Sequence, residues 1–317
     1  MEKKRVFFIV NPRAGIGRGK KCYRQVVKWL KENAAGEGIE SEFAFTEKTG
    51  ERNATNLAKM AVQKKYDLVV VIGGDGTVNE AANGLLGYDI PILVISAGNG
   101  NDFAKAIRVP KNVTKALNLI NHGREKLIDL GKVDGRVFVN VFGVGFDAKI
   151  TQYAESLKQK WPLAPNTLLY LIALLWELLI KIEYPHLKVR FPRGKASLET
   201  IAGKATSVLV ANGYNCGGIF KLAPQADIQD GFFDICWISK TSSWRIFRFI
   251  LKGIRGTHIS LPEIKKDFNG RLPKAPSLVI TSLENQNIPC QVDGELLPAK
   301  KEYRVSILPK ALKVLAP

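Results

Sequence analysis

The stretch VVVIGGDGTVNEAANGLL, residues 69–86, passes from strand to glycine turn to helix within a few positions. Val69, Val70, Val71 and Ile72 form a β-branched run of the kind buried in a parallel sheet. Gly73, Gly74 and Gly76 let the backbone turn sharply and approach a ligand with no Cβ in the way. Thr77 to Asn79 then open a helix continued by Ala81, Ala82, Leu85 and Leu86. Its free N–H groups and the positive end of its dipole suit a phosphate. Asp75 would repel that phosphate unless a cation or basic side chain stood between them, which makes a magnesium nucleotide the natural ligand. An ordinary tight βα turn is the alternative.

The flanking segments extend the same pattern. Val6 to Val10 reads as a strand and ends in NPRAGIGRGKK, where the glycines at 15, 17 and 19 do not fit the dinucleotide fingerprint and Lys20-Lys21 does not fit the Walker loop. Tyr23, Val26, Val27 and Leu30 recur at helical spacing, and Ser41 to Phe45 alternates as a short strand. Ala54, Leu57, Ala58 and Ala61 mark another helical face, and Pro91 to Ile95 is a buried strand running into SAGNGNDFAKAI. The succession predicts a doubly wound parallel sheet with ligands at the carboxyl ends of its strands. Glycine loops near residues 11, 73 and 98 then collect at one edge.

From Lys126 the pattern changes. Short strands over 126–133, 137–144, 187–191, 206–211 and 233–238, separated by turn residues, predict an antiparallel sandwich. Two helices interrupt it. Residues 167–180 are apolar nearly all round yet, at about 1.5 Å per residue, too short to cross a bilayer of about 30 Å. They read as a core helix or as an apolar wall for an acyl chain. Trp244 to Gly253 sets Arg245, Arg248, Lys252 and Arg255 along one side with Trp244, Phe247, Ile250 and Leu251 elsewhere, either a solvated face on a core helix or a helix lying on an anionic bilayer. Tyr303 to Ile307 and Leu312 to Leu315 read as two final strands.

With 317 residues the chain can bury two cores. A net charge of +18 calls for a negatively charged partner such as a membrane surface, a nucleic acid or phosphorylated ligands, unless it serves only solubility. No nucleic-acid recognition motif accompanies the charge. Cys22, Cys216, Cys236 and Cys290 lack paired spacing, so neither zinc nor a disulfide framework is indicated and a reducing cytoplasm fits. His122, His186 and His258 have no nucleophile setting, and Val6 to Val10 is too short for a signal sequence.

Asn11-Pro12 after the first strand, GGDGTVNE at 73–80 and AGNGNDFA at 97–104, in this order and spacing, resemble the catalytic domain of diacylglycerol kinases and related bacterial lipid kinases. The resemblance covers essentially the whole length. It implies an α/β, doubly wound three-layer nucleotide-binding domain at 1–128, onto which the tail 303–317 returns, and a mostly antiparallel β-sandwich domain for the lipid substrate at 129–302. The active site is then expected in the cleft between them. ATP would be held by Asn11, Pro12, Arg13, Ala14, Gly15, Thr46, Gly73, Gly74, Asp75, Gly76, Thr77, Val78, Asn79 and Asn99, with Asp75 organising the catalytic Mg²⁺. The family usually has Thr where this chain has Asn99; Asn still offers an oxygen and an NH₂ group, so altered nucleotide affinity is expected.

Two further stretches acquire meaning from the resemblance. In KLAPQADIQDGFFDI, Asp227 and Asp230 alone would be turn-forming acids; the family likeness makes them, with the carbonyl of Phe232, a structural Mg²⁺ site. In QVDGELL, alone a simple turn, it makes Glu295 the general base that accepts the proton of the lipid hydroxyl, with Asp293 beside it. The implied activity is ATP-dependent phosphorylation of diacylglycerol at the inner face of the membrane, by a peripheral protein of a family in which homodimers are common. A sphingoid base or phosphatidylglycerol as acceptor, an NAD kinase-like phosphotransferase, and a catalytically silent lipid or nucleotide sensor are the alternatives.

Overall fold

The computed structural model describes residues 3–47, 53–161, 164–179, 182–193 and 197–317. The chain divides into two compact units, residues 1–130 with 309–317, and residues 131–308. The first unit runs β1 (Lys4–Val10), α1 (Arg18–Glu37), β2 (Ile39–Phe45), α2 (Ala54–Gln63), β3 (Leu68–Gly73), α3 (Asp75–Leu85) and β4 (Ile92–Ser96). Three short helices, α4 (Asp102–Ala106), α5 (Val113–Leu117) and α6 (Leu119–His122), lead into β5 (Arg124–Val133).

β1 pairs in parallel with β2 and β3, and β3 with β4, so the order β2-β1-β3-β4 reverses direction between β1 and β3. A doubly wound sheet binds its ligands at such a switch point. Val6–Val10 and Leu68–Ile72 are wholly buried, as strands covered on both faces must be. α2 packs on α3 while α1 packs on α5. The α2/α3 contact is close because its residues are small: a Cβ on Gly84 would stand 2.4 Å from the Thr55 carbonyl oxygen and 2.8 Å from the Ala58 Cβ. Asn53 caps α2 by accepting the Asn56 N–H.

The second unit contains β6 (Arg136–Phe138), β7 (Val141–Gly145), α7 (Phe146–Lys160), α8 (Asn166–Leu179), β8 (His186–Arg193), β9 (Ser197–Ala211), β10 (Phe233–Ser239) and α9 (Ser243–Arg255). It closes with β11 (Lys274–Ala275), β12 (Ser277–Ser282), β13 (Ile288–Val292), β14 (Glu295–Lys300) and the first part of β15 (Glu302–Ala316), whose residues from Pro309 on belong to the first unit. β9 belongs to two antiparallel sheets. Its first half pairs with β8, which continues to β12 and β15. Its second half pairs with β7 and β10, and β7 continues to β13 and β14. Between these layers lie Phe138, Phe142, Val189, Val208, Phe233, Trp237, Ile280 and Tyr303. Each such side chain contributes roughly 1.5–3 kcal/mol on burial.

Four expectations need correction. The single strand over 137–144 is two strands, β6 and β7, because the amides of Val139, Asn140 and Val141 are taken by the carboxylate of Asp293 at 2.8, 3.0 and 2.8 Å. The two closing strands are one, β15, which keeps its extended pairing through a left-handed residue, Lys310 (φ 51°), whose N–H is held by buried Asp129 at 2.7 Å. Helix α7 was not expected, although Ile150, Tyr153, Ala154 and Leu157 recur at helical spacing. The apolar helix read over 167–180 begins at Asn166, with Ile180 outside the described residues. It is only partly core: Leu169 and Ala173 are buried whereas four of its leucines face outward.

Candidate active site

The three glycine loops of the first unit meet at the carboxyl ends of its strands. After β1, Asn11 N–H bonds the Ile72 carbonyl at 2.9 Å, its Nδ2 donates to Thr77 Oγ1 at 2.9 Å, and its Oδ1 accepts Arg13 N–H at 3.1 Å. One side chain thereby fixes the loops after β1 and β3 together. Gly15 (φ 55°) lies so close to the third loop that a Cβ would fall 2.2 Å from the Ala97 carbonyl oxygen. Gly98 approaches Gly74 equally tightly, since a Cβ on Gly98 would stand 2.5 Å from the Gly74 Cα. Arg18, opening α1, donates to Asn99 Oδ1 and to the Gly15 carbonyl. Thr46 N–H closes on the Val10 carbonyl at 2.9 Å, which brings the end of β2 beside the same loop.

α3 begins at Asp75 rather than Thr77, with Gly74 as its cap. The Asp75 carboxylate accepts Phe103 N–H at 3.0 Å at the start of α4. Burial raises its pKa, with the neighbouring Asp102 charge adding to the rise and the amides of Phe103, Asn101 and Asp102 opposing it. A carboxylate held this way gains from a cation nearby. Val78 is a core side chain whose N–H bonds the Gly74 carbonyl, while buried Asn79 has an Nδ2 with no partner among the described residues. A cavity of about 420 Å³ opens beside the β1 loop, lined by Pro12, Lys20, Tyr23, Arg24 and Phe45. Of that lining the sequence assigned only Pro12 a ligand role. Lys20 and Arg24 lie one helical turn apart, a spacing legible beforehand.

The Asp-Gly-Glu stretch of the second unit is a two-residue hairpin turn between β13 and β14, with Val292 opposite Glu295. Asp293 and Gly294 both have positive φ, 47° and 84°, the conformation that favours this dipeptide. The three backbone amides held by Asp293 make it a structural acid. Glu295, the first residue of β14, is paired through Oε2 with Arg136 of β6. Gln291 accepts Gly294 N–H at 2.8 Å and donates to Asp147 at 3.0 Å, and Ser207 donates to the other oxygen of Asp147 at 3.1 Å. Burial pushes Asp147 up to about 6 against those two hydrogen bonds. Tyr170 of α8 donates to the Gly294 carbonyl at 3.3 Å. Asp147, Gln291 and Arg136 had no motif to reveal them; only pairing places them around the turn.

Asp227 and Asp230 lie in the turns before β10. Asp227 accepts Gln229 N–H and Asp230 accepts Phe232 N–H, each at 3.0 Å. The second oxygen of Asp230 meets the Lys274 ammonium at 2.6 Å, and that ammonium also reaches Asp234 at 3.4 Å. Burial works against the charge on Lys274, but the hydrogen bond to Asp230 and the charge of Asp234 outweigh it and raise its pKa. Burial pushes Asp234 up to about 6 despite Lys274. The oxygens suit a hard cation, and the cation they meet is the lysine.

The profile of the diacylglycerol kinase catalytic domain matches residues 5–133, and that of the YegS C-terminal NAD kinase beta sandwich-like domain matches residues 140–316. The chain belongs to the diacylglycerol kinase catalytic-domain family and is a lipid kinase. It is 32% identical over 260 residues to the diacylglycerol kinase of Bacillus subtilis (strain 168), covering 81% of each chain. Identity to the diacylglycerol kinase of Staphylococcus carnosus (strain TM300) is 28% over 320 residues, 98% of this chain and 97% of the other. A crystal structure from Bacillus anthracis str. Sterne, of a protein provisionally described as a diacylglycerol kinase, superposes with a TM-score of 0.77 at 25% identity, covering 100% of this chain and 99% of that one.

Proposed function

We propose that the chain transfers the γ-phosphoryl group of ATP to the hydroxyl of diacylglycerol. The observation that carries this reading is the backbone contact of Gly74 with Gly98 beside Asp75, with Asn11 bonded to Thr77: amide-rich loops with no side chain between them form a bed for a polyphosphate. Asn11 to Gly15, Thr46, Gly73 to Asn79 and Asn99 hold the nucleotide in this reading. Asp75 would supply a protein oxygen to a Mg²⁺ accompanying the nucleotide, and the chemistry such an ion would supply is to offset the charge of the phosphates.

Glu295 acts as the general base. An alcohol is a poor nucleophile, and a carboxylate on its proton raises its reactivity as the phosphoryl group arrives. Arg136 orients Glu295 by holding one oxygen. Asp227, Asp230 and the Phe232 carbonyl would hold a structural Mg²⁺, which has to displace Lys274 to bind. Relatives named diacylglycerol kinase favour that acceptor over a sphingoid base or phosphatidylglycerol. The protein works as a peripheral protein on the anionic inner face of the membrane, which suits its net charge of +18. Among the described residues no helix is long and apolar enough to cross a membrane.

The test is transfer of label from ATP to a panel of lipid alcohols and to NAD, comparing wild type with Glu295→Ala and Asp75→Asn. Label in diacylglycerol, lost in both variants, is expected. An unchanged rate in Glu295→Ala removes the base assignment, and label in NAD alone or nowhere removes the acceptor.

A further inference from the structure

Within NTLLYLIALLWELL of α8, Glu177 is the one charged residue. Leu169 and Ala173 are buried with Ala154 and Leu157 of α7, while Leu174 and Leu178 pack with Phe146 of α7 and with Ile246 and Ile250 of α9. The remaining leucines, Leu168, Leu171, Leu175 and Leu179, are spaced three, four and four apart and so share one face. All four are exposed, Leu179 by 85%. Glu177, two positions from Leu175 and Leu179, falls on the opposite side.

α9 repeats the arrangement with charge added. Ile246, Phe249 and Gly253 are buried. Trp244, Phe247, Leu251 and Ile254, spaced three, four and three apart, are exposed, Trp244 by 70%. Beside that apolar line the helical spacing puts Arg248, Lys252 and Arg255. Lys252 reaches Ser260 and Arg245 pairs with Glu263, whereas Arg248 and Arg255 are exposed and have no ion pair among the described residues. Ile250 and Leu174 meet in one cluster, and each lies one turn from exposed apolar neighbours, Phe247 and Ile254 on α9 and Leu171 on α8. The two lines of exposed side chains therefore border a common seam. At the end of α7, exposed Lys158, Lys160 and Trp161 add charge and an aromatic.

Apolar surface of this extent, rimmed by cations, needs a cover. A second copy packed on this face would set its own cationic rim against that of the first, at a cost in like-charge repulsion. An anionic lipid surface matches both parts: acyl chains for leucine and tryptophan, phosphates for arginine. The net charge of +18 acts in the same direction.

We propose that the outward faces of α8 and α9 form the surface on which this chain lies against an anionic bilayer, with Leu171, Leu175 and Trp244 entering the acyl boundary and Arg248 and Arg255 at the phosphates. The proposal rests on the lipid-kinase reading for its purpose, since it gives access to an acceptor that stays in the bilayer. It adds which part of the molecule makes the contact.

Flotation with phosphatidylcholine vesicles containing phosphatidylglycerol tests it on wild type, Leu171→Glu/Leu175→Glu and Arg248→Glu/Arg255→Glu, alongside phosphorylation of a short-chain diacylglycerol in free solution. Both double variants should lose vesicle binding by about tenfold or more, the arginine variant also losing its salt sensitivity, while keeping wild-type activity on the free substrate. Unchanged flotation overturns the proposal. So does a leucine variant that turns a dimeric wild type monomeric in sedimentation while flotation is unaltered, because a second copy then covers the face. Trp244→Phe, at an exposed position that puts folding at little risk, should diminish the vesicle-induced blue shift of tryptophan emission; an undiminished shift also overturns it. A wild type that floats yet phosphorylates no diacylglycerol in either form removes the enzymatic reading and leaves the docking surface standing.

Discussion

Gln291 accepts the backbone amide of Gly294 at 2.8 Å, so the strand before the hairpin grips the turn that carries Glu295. The other end of the same side chain donates to Asp147. Gln291→Leu keeps the volume and removes both bonds. We expect kcat for lipid phosphorylation to fall about tenfold, the equivalent of one or two hydrogen bonds' worth of positioning, with KM for ATP unchanged. Steady-state kinetics with both substrates varied checks this, and a change confined to KM for ATP would contradict it.

Asp147 gives a dependence on pH. Burial raises its folded-state pKa from 3.8 to about 6, so the folded protein binds the proton more tightly than the unfolded chain. Its contribution is most favourable below pH 3.8 and is lost as pH rises through about 6. Asp147→Asn removes that titration. The stability of wild type relative to the variant should therefore decline between those values, as read by urea unfolding at a series of pH values. A flat difference would show that Asp147 does not titrate there.

Gly98→Ala should damage nucleotide binding directly, because its Cβ would stand 2.5 Å from the Gly74 Cα and 2.9 Å from Asn101 Oδ1. Parting the loops costs about 1–3 kcal/mol. ATP affinity measured by calorimetry should fall in proportion, by about fivefold to a hundredfold. Gly87→Ala is the control: its φ of 83° makes a side chain strained, yet nothing lies within 4 Å of the added carbon. That variant should lose stability and bind nucleotide as before.

Asn99 holds Arg18 across the mouth of the first loop. Asn99→Ala releases the guanidinium and removes a polar contact, so KM for ATP should rise about tenfold with kcat nearly constant. Asn99→Thr puts a hydroxyl oxygen in place of the amide oxygen and should stay within about threefold of wild type. A drop in kcat would give residue 99 a part in the transfer itself.

Lys274 and a divalent ion compete for Asp230. In Lys274→Gln the two carboxylates lose their cation, and Mg²⁺ should raise the melting temperature by several degrees, whereas wild type should respond much less. Thermal unfolding with and without EDTA reads this out in the absence of nucleotide. Equal responses would show that the ammonium does not occupy the ion's place.

The first unit was legible because its signals are local. A β-branched run, a glycine turn and an apolar helix follow one another in β3 and α3, and each constrains the next. The second unit was legible only in outline. Its division of 137–144 into two strands depends on a carboxylate more than 150 residues away. Arg136 likewise meets Glu295 across the chain, and no spacing rule reaches that far. α7 is different: its periodicity is present in the sequence, but polar residues, Gln152, Glu155 and Lys158 among them, separate its apolar positions and dilute the signal. The outward leucines of α8 are indistinguishable by composition from its inward ones, since only packing partners separate Leu171 from Leu169.

β9 runs through both sheets of the second unit, with Ser197–Lys204 against β8 and Ser207–Ala211 between β7 and β10. Neither layer can then release its amide hydrogens by fraying alone, because opening one removes a rail from the other. Exchange with solvent deuterium across the sandwich should follow a single slow cooperative rate, and the protons of Val208, Leu209 and Val210 should be among the last to go.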